Sequence, residues 1–552
     1  MKTSPRSIRF LRVGFFFLML SACSWLVACS APNLSNPGTG YTNNDNNSKN
    51  GGNNNNGGNV GQPTTSPDAG PIQSGKQSGW GSNIGTGGAQ DIGQFRKIIE
   101  SGEIPHPNTL DANGFFSEHH TQLPAPTCGK TFCLHGMLAR NKSFIGNETY
   151  HVLQLGMNSS TDVSKLPRLP LNLVVVIDTS GSMKSQNKLE YVKTGLKLML
   201  DKLRPEDTLA IVHYSTKAET LRPAQAVTAD NKSAVIDLID KLRATGGTNI
   251  YDGLKLGYEE CLKQSSDKKQ NRVIFLSDGK ATQGIIQTDK ILEMSNQYVK
   301  KGLGLTTIGV GLSFNVTLMR SLAESGSGNY YFLESQEAIR EVFQDEMEYF
   351  VVPIAYDIKI SVALGNSYTL TEVLGTNLWQ NTNEGGSIYI PSVFLTGRTA
   401  HDDPKAGQGG RRGGGSAIML RLSDSLSQQL QSRQVAAITL TYRPAGETKE
   451  VTQQIKVDFS PTSQDQLSEP YYSHTAIEKN YVMLNVYLGL RTACQLAVLQ
   501  QDPKAALVVL QKLKTDVVEW NKTFDDEDIK ADLTLIGSLI QNLQKYTQTT
   551  SP

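Results

Sequence analysis

A continuous apolar run at residues 173–177, LVVVI, is the feature that most constrains the fold of this chain. Apolar runs without alternation are typical of strands buried on both faces, as in parallel sheets covered by helices. Between residues 170 and 350 such runs alternate with amphipathic stretches, which predicts a doubly wound, mainly parallel α/β sheet. We expect further strands at 208–213, 273–276, 305–310 and 330–333, with helices at 189–203, 232–242, 251–262, 289–301, 316–323 and 336–350.

Oxygen-bearing side chains follow the predicted strands of this segment. Asp178, Ser180 and Ser182 come directly after the first strand, and Asp278 comes after the strand at 273–276. Thr248 lies between them in a glycine turn. Because ligands of such sheets bind beyond the carboxyl ends of the strands, we expect these side chains to form one site. Carboxylates and hydroxyls without imidazole or thiolate suit a divalent cation such as Mg²⁺, Mn²⁺ or Ca²⁺.

The order of these motifs resembles the von Willebrand factor type A domain and its metal-ion-dependent adhesion site. The family pattern is DxSxS, here at 178–182, then a threonine, here in GGTNIYDGL, then an aspartate, here in VIFLSDG. The resemblance continues through TIGVGLSFN at 307–315 and ends near residue 350. It implies that Ser180, Ser182 and Thr248 bind the metal directly, and that one or both aspartates act largely through water.

The function implied by this resemblance is metal-dependent protein binding. A divalent cation that faces neutral hydroxyls keeps uncompensated positive charge and an open coordination position. An acidic residue of a partner protein can fill that position, and Mg²⁺ is the cation we expect first. The alternatives are a structural scaffold in which the metal only stabilises the domain, and a sensor in which the helix at 336–350 transmits ligand binding to the next domain.

The sequence gives less support to a catalytic function than to protein binding. Residues 177–180 also resemble the active-site loop of aspartic proteases, but the second such loop that these enzymes need is missing, since Asp278 lies in SDG. The chain also lacks HExxH, GxSxG and Walker-type motifs. A formal charge of +1 argues against a strongly basic nucleic-acid binder. We therefore expect a binding protein that is not an enzyme.

The N-terminus has the features of an exported lipoprotein. Residues 1–12 are basic, residues 13–20 are apolar, and small residues follow, which is typical of a secretory signal. The sequence LVAC at 26–29 resembles the bacterial lipobox, which implies a signal peptide at 1–28 and acylation of Cys29. Acylation with two or more chains anchors a protein stably to a membrane. The alternative is ordinary cleavage with an unmodified Cys29. In a bacterium with two membranes, the resemblance and Ser30 together imply sorting to the outer membrane. The sequence does not indicate whether the protein faces the periplasm or the outside.

The four remaining cysteines are interpreted for a chain that is exported. Cys128 and Cys133 lie close together in TCGKTFC, so we expect a disulfide between them, with half of a zinc site as the alternative. Cys261 and Cys494 are expected to be buried thiols, although they could pair.

The rest of the chain divides by composition. Residues 29–90 are rich in Asn and Gly and are expected to form a disordered tether. An N-terminal flanking segment at 91–169 precedes the α/β domain at 170–350, and we expect its His119 and His120 at the surface. Short alternating runs predict a β-sandwich at 351–465, with a strand at 149–156 as a further member. Apolar stripes at helical spacing predict a helical region at 466–552.

Overall fold

The computed structural model describes residues 82–161, 169–312, 314–333, 335–340, 342–343, 353–395, 415–468 and 470–549. The predicted signal peptide, Cys29 and the tether up to residue 81 lie outside these residues, as do residues 344–350 of the last predicted helix of the α/β domain.

Within the described residues, strands and helices follow one another in a fixed order. The strands are β1 Ser82–Gly85, β2 Gly88–Ala89, β3 Cys133–Lys142, β4 Thr149–Ser159, β5 Leu171–Asp178, β6 Thr208–Tyr214, β7 Ala218–Ala226, β8 Gln270–Ser277, β9 Gly304–Val310, β10 Asn329–Leu333, β11 Pro353–Leu364, β12 Tyr368–Leu374, β13 Gln380–Thr382, β14 Gly385–Leu395, β15 Ile418–Asp424, β16 Arg433–Pro444, β17 Val451–Phe459 and β18 Tyr471–Tyr472. The helices are α1 Gly93–Glu100, α2 Ala112–Ser117, α3 Lys188–Leu200, α4 Ala229–Asp240, α5 Ile250–Lys263, α6 Thr288–Val299, α7 Val316–Ser325, α8 Gln336–Arg340, α9 Thr475–Cys494, α10 Pro503–Phe524 and α11 Glu527–Thr549.

The α/β domain is built on a mainly parallel sheet. Over the described residues its strand order is β2-β10-β9-β8-β5-β6-β7. All residues of β5 and β8 are buried, because helices cover both faces of the sheet. This confirms the predicted doubly wound α/β fold. The antiparallel edge strand β7 was not predicted, because its sequence, AETLRPAQA, is largely polar and solvent-facing.

The flanking sandwich is an antiparallel sheet whose two halves are joined through β1. This short strand pairs with β4 in one half and with β14 in the other. The halves pack face to face, since a Cβ added at Gly136 on β3 would lie 2.7 Å from Val457 on β17. The predicted strand at 149–156 is present as part of β4. The α/β domain therefore lies, in chain order, between two parts of one antiparallel body.

The C-terminal region is helical, as predicted, and it shares a core with the segment that precedes the α/β domain. Phe95 of α1, Phe115 of α2 and Tyr481 of α9 belong to one buried cluster. The helix at Thr475–Leu499 is long and apolar enough to cross a membrane by length and composition alone. Most of it is buried inside the protein, as is usual for the central helix of a packed core.

One predicted boundary is wrong. The tether does not extend to residue 90, because residues 82–89 already form β1 and β2. Residues 91–169, the predicted flanking segment, are divided between two cores. Their helices pack into the C-terminal helical core, and their strands belong to the sandwich. Strands of two to four residues carry too little periodicity to be recognised in a sequence.

The prediction that His119 lies at the surface is also wrong. Its side chain is buried, with Nδ1 2.7 Å from the carbonyl oxygen of Phe115 and Nε2 2.9 Å from Oδ2 of Asp532 on α11. Burial alone would lower the pKa of His119, but the Asp532 charge and hydrogen bond outweigh it and raise the pKa above 6.5. This pair ties the turn after α2 to the C-terminal helices.

Candidate metal centre

The two aspartates of the predicted site leave the sheet at the same edge. Strands β5 and β8 are parallel neighbours, with Ile177 opposite Leu276. Asp178 is the last residue of β5, and Asp278 directly follows β8. Both side chains are fully buried. The parallel pairing therefore brings together two residues that are 100 positions apart in the sequence.

The hydroxyl groups converge on Asp278. The Oγ atoms of Ser180 and Ser182 lie 3.0 Å apart, and Ser182 Oγ donates a 2.7 Å hydrogen bond to Asp278 Oδ1. Thr248 lies on the same side, because a Cβ added at Gly279 would be 3.7 Å from both Ser182 Oγ and Thr248 Oγ1. The structure thus brings all five residues of the predicted site to one edge of the sheet.

Backbone hydrogen bonds fix the loops that carry these side chains. Gly181 donates to the carbonyl of Gly246 at 3.0 Å, which ties the DxSxS loop to the glycine turn. Thr282, in the loop after β8, donates to the carbonyl of Thr248 at 2.9 Å. Its Oγ1 accepts a hydrogen bond of the same length from the Thr248 amide. Hydrogen bonds therefore connect the three loops that carry the site to one another.

Asp178 is held by protein donors on both carboxylate oxygens. Oδ1 accepts a 2.8 Å bond from the Ser180 amide, and Oδ2 accepts 2.9 Å and 3.3 Å bonds from the hydroxyls of Ser277 and Tyr214. Burial raises the pKa of Asp178, the bonds from Ser180 oppose this shift, and the nearby Asp278 charge adds to it. These hydrogen bonds fix the orientation of the Asp178 carboxylate.

Lys188 is a residue of this site that the sequence did not reveal. It is the first residue of α3, and its Nζ donates a 2.8 Å hydrogen bond to Asp278 Oδ2. The side chains are 6% and 0% exposed, so the ion pair is buried. The sequence feature that could have pointed to Lys188 is its position directly before the first apolar residue of the predicted helix at 189–203.

The donor chemistry of the site fits a hard divalent cation. The converging atoms are carboxylate and hydroxyl oxygens, which magnesium, manganese and calcium prefer. In the part of the chain that the structure describes, no group of three or more His, Cys, Asp or Glu residues is arranged to hold a metal, so the candidate site depends on its hydroxyl oxygens. Ser180, Ser182 and Thr248 are neutral donors, so they leave a bound cation able to attract an anion.

Comparison with known proteins supports the resemblance seen in the sequence. Residues 172–345 match the sequence profile of the von Willebrand factor type A domain. The chain contains a von Willebrand factor type A (VWA) domain. Uncharacterized protein YfbK of Escherichia coli (strain K12) is 33% identical over 192 residues, which are 35% of this chain and 33% of YfbK. Inter-alpha-trypsin inhibitor heavy chain H3 of Rattus norvegicus is 26% identical over 236 residues, which are 41% of this chain and 26% of that protein.

Among solved structures, a von Willebrand factor type A protein from Catenulispora acidiphila covers 70% of this chain at 16% identity, with a TM-score of 0.48 and 86% of its own chain matched. The sequence matches span a third or less of the two relatives' own lengths. VWA domains commonly carry a divalent cation at the metal-ion-dependent adhesion site.

The cysteines lie away from this site. The structure joins Cys128 and Cys133 by a disulfide in the turn before β3. Cys261 and Cys494 are free and buried, on α5 and α9. Within the described residues, then, none of the four cysteines is placed as a metal ligand.

Proposed function

We propose that this chain is a lipid-anchored protein of the bacterial cell envelope that binds a partner protein through a divalent cation. The observation that supports this proposal best is the convergence of Ser180, Ser182, Thr248 and Asp278 at the edge of the VWA sheet. Ser180, Ser182 and Thr248 would hold the cation through their hydroxyl oxygens. Asp178 and Asp278 would act mainly through water, and Mg²⁺ is the preferred ion.

The bound cation would supply a positive charge with one open coordination position. The carboxylate of an aspartate or glutamate in the partner fills this position. It supplies the negative charge that the neutral hydroxyl ligands do not provide. The surrounding chain orients the donors and buries the side chains of Asp178 and Asp278. Recognition, not turnover, is the proposed activity.

Partner capture tests this proposal. The full chain in detergent is immobilised and exposed to an envelope extract in Mg²⁺ or in EDTA. We expect acidic partner proteins to bind in Mg²⁺ and to be released by EDTA. The variant Ser182→Ala should capture none of them, because it removes one direct ligand, whereas Ser185→Ala in the same loop should capture the same set. Equal capture by all forms in EDTA would favour the scaffold alternative instead.

The anchoring half of the proposal rests on the sequence around Cys29. Changing Cys29→Ala should remove incorporation of labelled palmitate and move most of the protein from the membrane fraction to the soluble fraction. Cys23→Ala is the matched control, since it lies within the predicted signal peptide. Palmitate labelling that survives in the Cys29 variant would refute acylation at this residue.

A further inference from the structure

Lys188 is built into the metal centre by the fold around it. Gln186 and Asn187 both have positive φ values, 54° and 55°, and this left-handed turn curls the chain so that the next residue points inwards. Gly311, in the loop after β9, covers the lysine stem, because a Cβ there would lie 2.5 Å from Lys188 Cε. With its amine 2.8 Å from Asp278, the lysine is a fixed internal cation.

This cation changes the charge of the site. Asp178 and Asp278 contribute two negative charges, Lys188 contributes one positive charge, and the hydroxyl donors are neutral. A divalent cation added to this set leaves the centre with a net charge of about +1. Asp178, Asp278 and Lys188 are buried, and buried charges interact more strongly than charges in water. Unbalanced buried charge costs free energy unless a partner charge compensates it.

We infer that Lys188 makes cation binding depend on the partner's carboxylate. The free protein then holds the metal weakly, and an acidic residue that enters the open position supplies the missing negative charge and tightens both interactions. Such coupling is reciprocal, so the metal strengthens partner binding by the same factor. This inference rests on the proposed function and specifies how that site is regulated.

A positioning role for Lys188 makes the opposite prediction. If the lysine served only to orient Asp278, its removal would loosen the carboxylate and weaken metal binding. Asp278 already has a second restraint, the 2.7 Å hydrogen bond from Ser182. The sign of the change in metal affinity therefore separates the two roles.

The experiment is a titration of Mn²⁺ into the full chain in detergent, with and without saturating acetate as the carboxylate probe. We expect Lys188→Met to bind Mn²⁺ at least about tenfold more tightly than the wild type without acetate, because a nearby like charge is removed. Acetate should raise the Mn²⁺ affinity of the wild type more than that of the variant. Lys193→Met is the matched control, since this buried lysine of α3 bonds to Glu190 and not to the site.

The outcomes are distinguishable. Equal or weaker Mn²⁺ binding by a folded Lys188→Met chain, checked by circular dichroism, would overturn the inference while leaving the proposed function intact. No Mn²⁺ binding by the wild type or the variant, even in acetate, would overturn both. Should the methionine variant fail to fold, Lys188→Gln makes the same charge change with a polar side chain, and the same expectation applies to it.

Discussion

Replacing Ser180 and Ser182 together by alanine should abolish divalent-cation binding while leaving the VWA fold intact. The double variant removes two of the three hydroxyl oxygens proposed to touch the metal. Even outer-shell partners of metal sites are worth about 10–100-fold in affinity, so the loss of two direct ligands should exceed about a hundredfold. Asp278 would lose the hydrogen bond from Ser182 but keep the one from Lys188.

The stability of this variant should fall only modestly. A lost hydrogen bond costs about 1–3 kcal/mol when it leaves a buried polar atom unsatisfied. Calorimetric titration of Mg²⁺ and Mn²⁺ measures the affinity, and thermal unfolding followed by circular dichroism measures the stability. Ser185→Ala is the control, because its hydroxyl bonds to the Ser182 carbonyl oxygen and is exposed. Metal binding retained by the double variant would mean that the cation lies elsewhere.

The residues of the candidate site could be predicted from the sequence because each follows a recognisable element. Asp178 and Asp278 end apolar runs, and parallel strands place their carboxyl ends at one edge of the sheet. Thr248 stands in a glycine-marked turn before α5. The local sequence pattern and the sheet topology were enough to predict these site residues, because regular secondary structure determines where the residues after each strand lie.

Long-range partners could not be predicted in this way. Lys188 contacts Asp278 across 90 positions, and His119 contacts Asp532 across 413 positions. A single sequence carries no periodic signal for such pairs, since each member looks like an ordinary polar residue in its own segment. The same limit hid β1 and β2, whose few residues join the sandwich and the VWA sheet through main-chain hydrogen bonds.

Close packing between a helix and the sheet also cannot be predicted from the sequence. One such contact supports the metal site. Gly257 of α5 lies against β5 so closely that an added Cβ would be 2.2 Å from Val176 Cγ2. Val176 is fully buried, and β-branched side chains have little rotamer freedom with which to move aside. The helix must therefore shift outwards in any variant with a side chain at 257.

Gly257→Ala should consequently destabilise the protein and weaken its metal site. Overpacking of this kind costs about 1–3 kcal/mol, which exceeds the gain in helix propensity of about 1 kcal/mol. Because α5 begins two residues after Thr248, its displacement should also move that hydroxyl and lower Mn²⁺ affinity. Gly537→Ala in α11 is a matched control, since its nearest neighbour is a lysine amine 3.8 Å from the added Cβ.

The two alanine substitutions should therefore change stability in opposite directions. Gly537→Ala should raise the free energy of unfolding by about 0.5–1 kcal/mol through helix propensity, with Mn²⁺ affinity unchanged. Urea unfolding of the full chain in detergent measures the first quantity and Mn²⁺ titration the second. A stabilised Gly257→Ala variant would show that α5 does not pack as closely on β5 as the structure places it, and the position of Thr248 would then need revision.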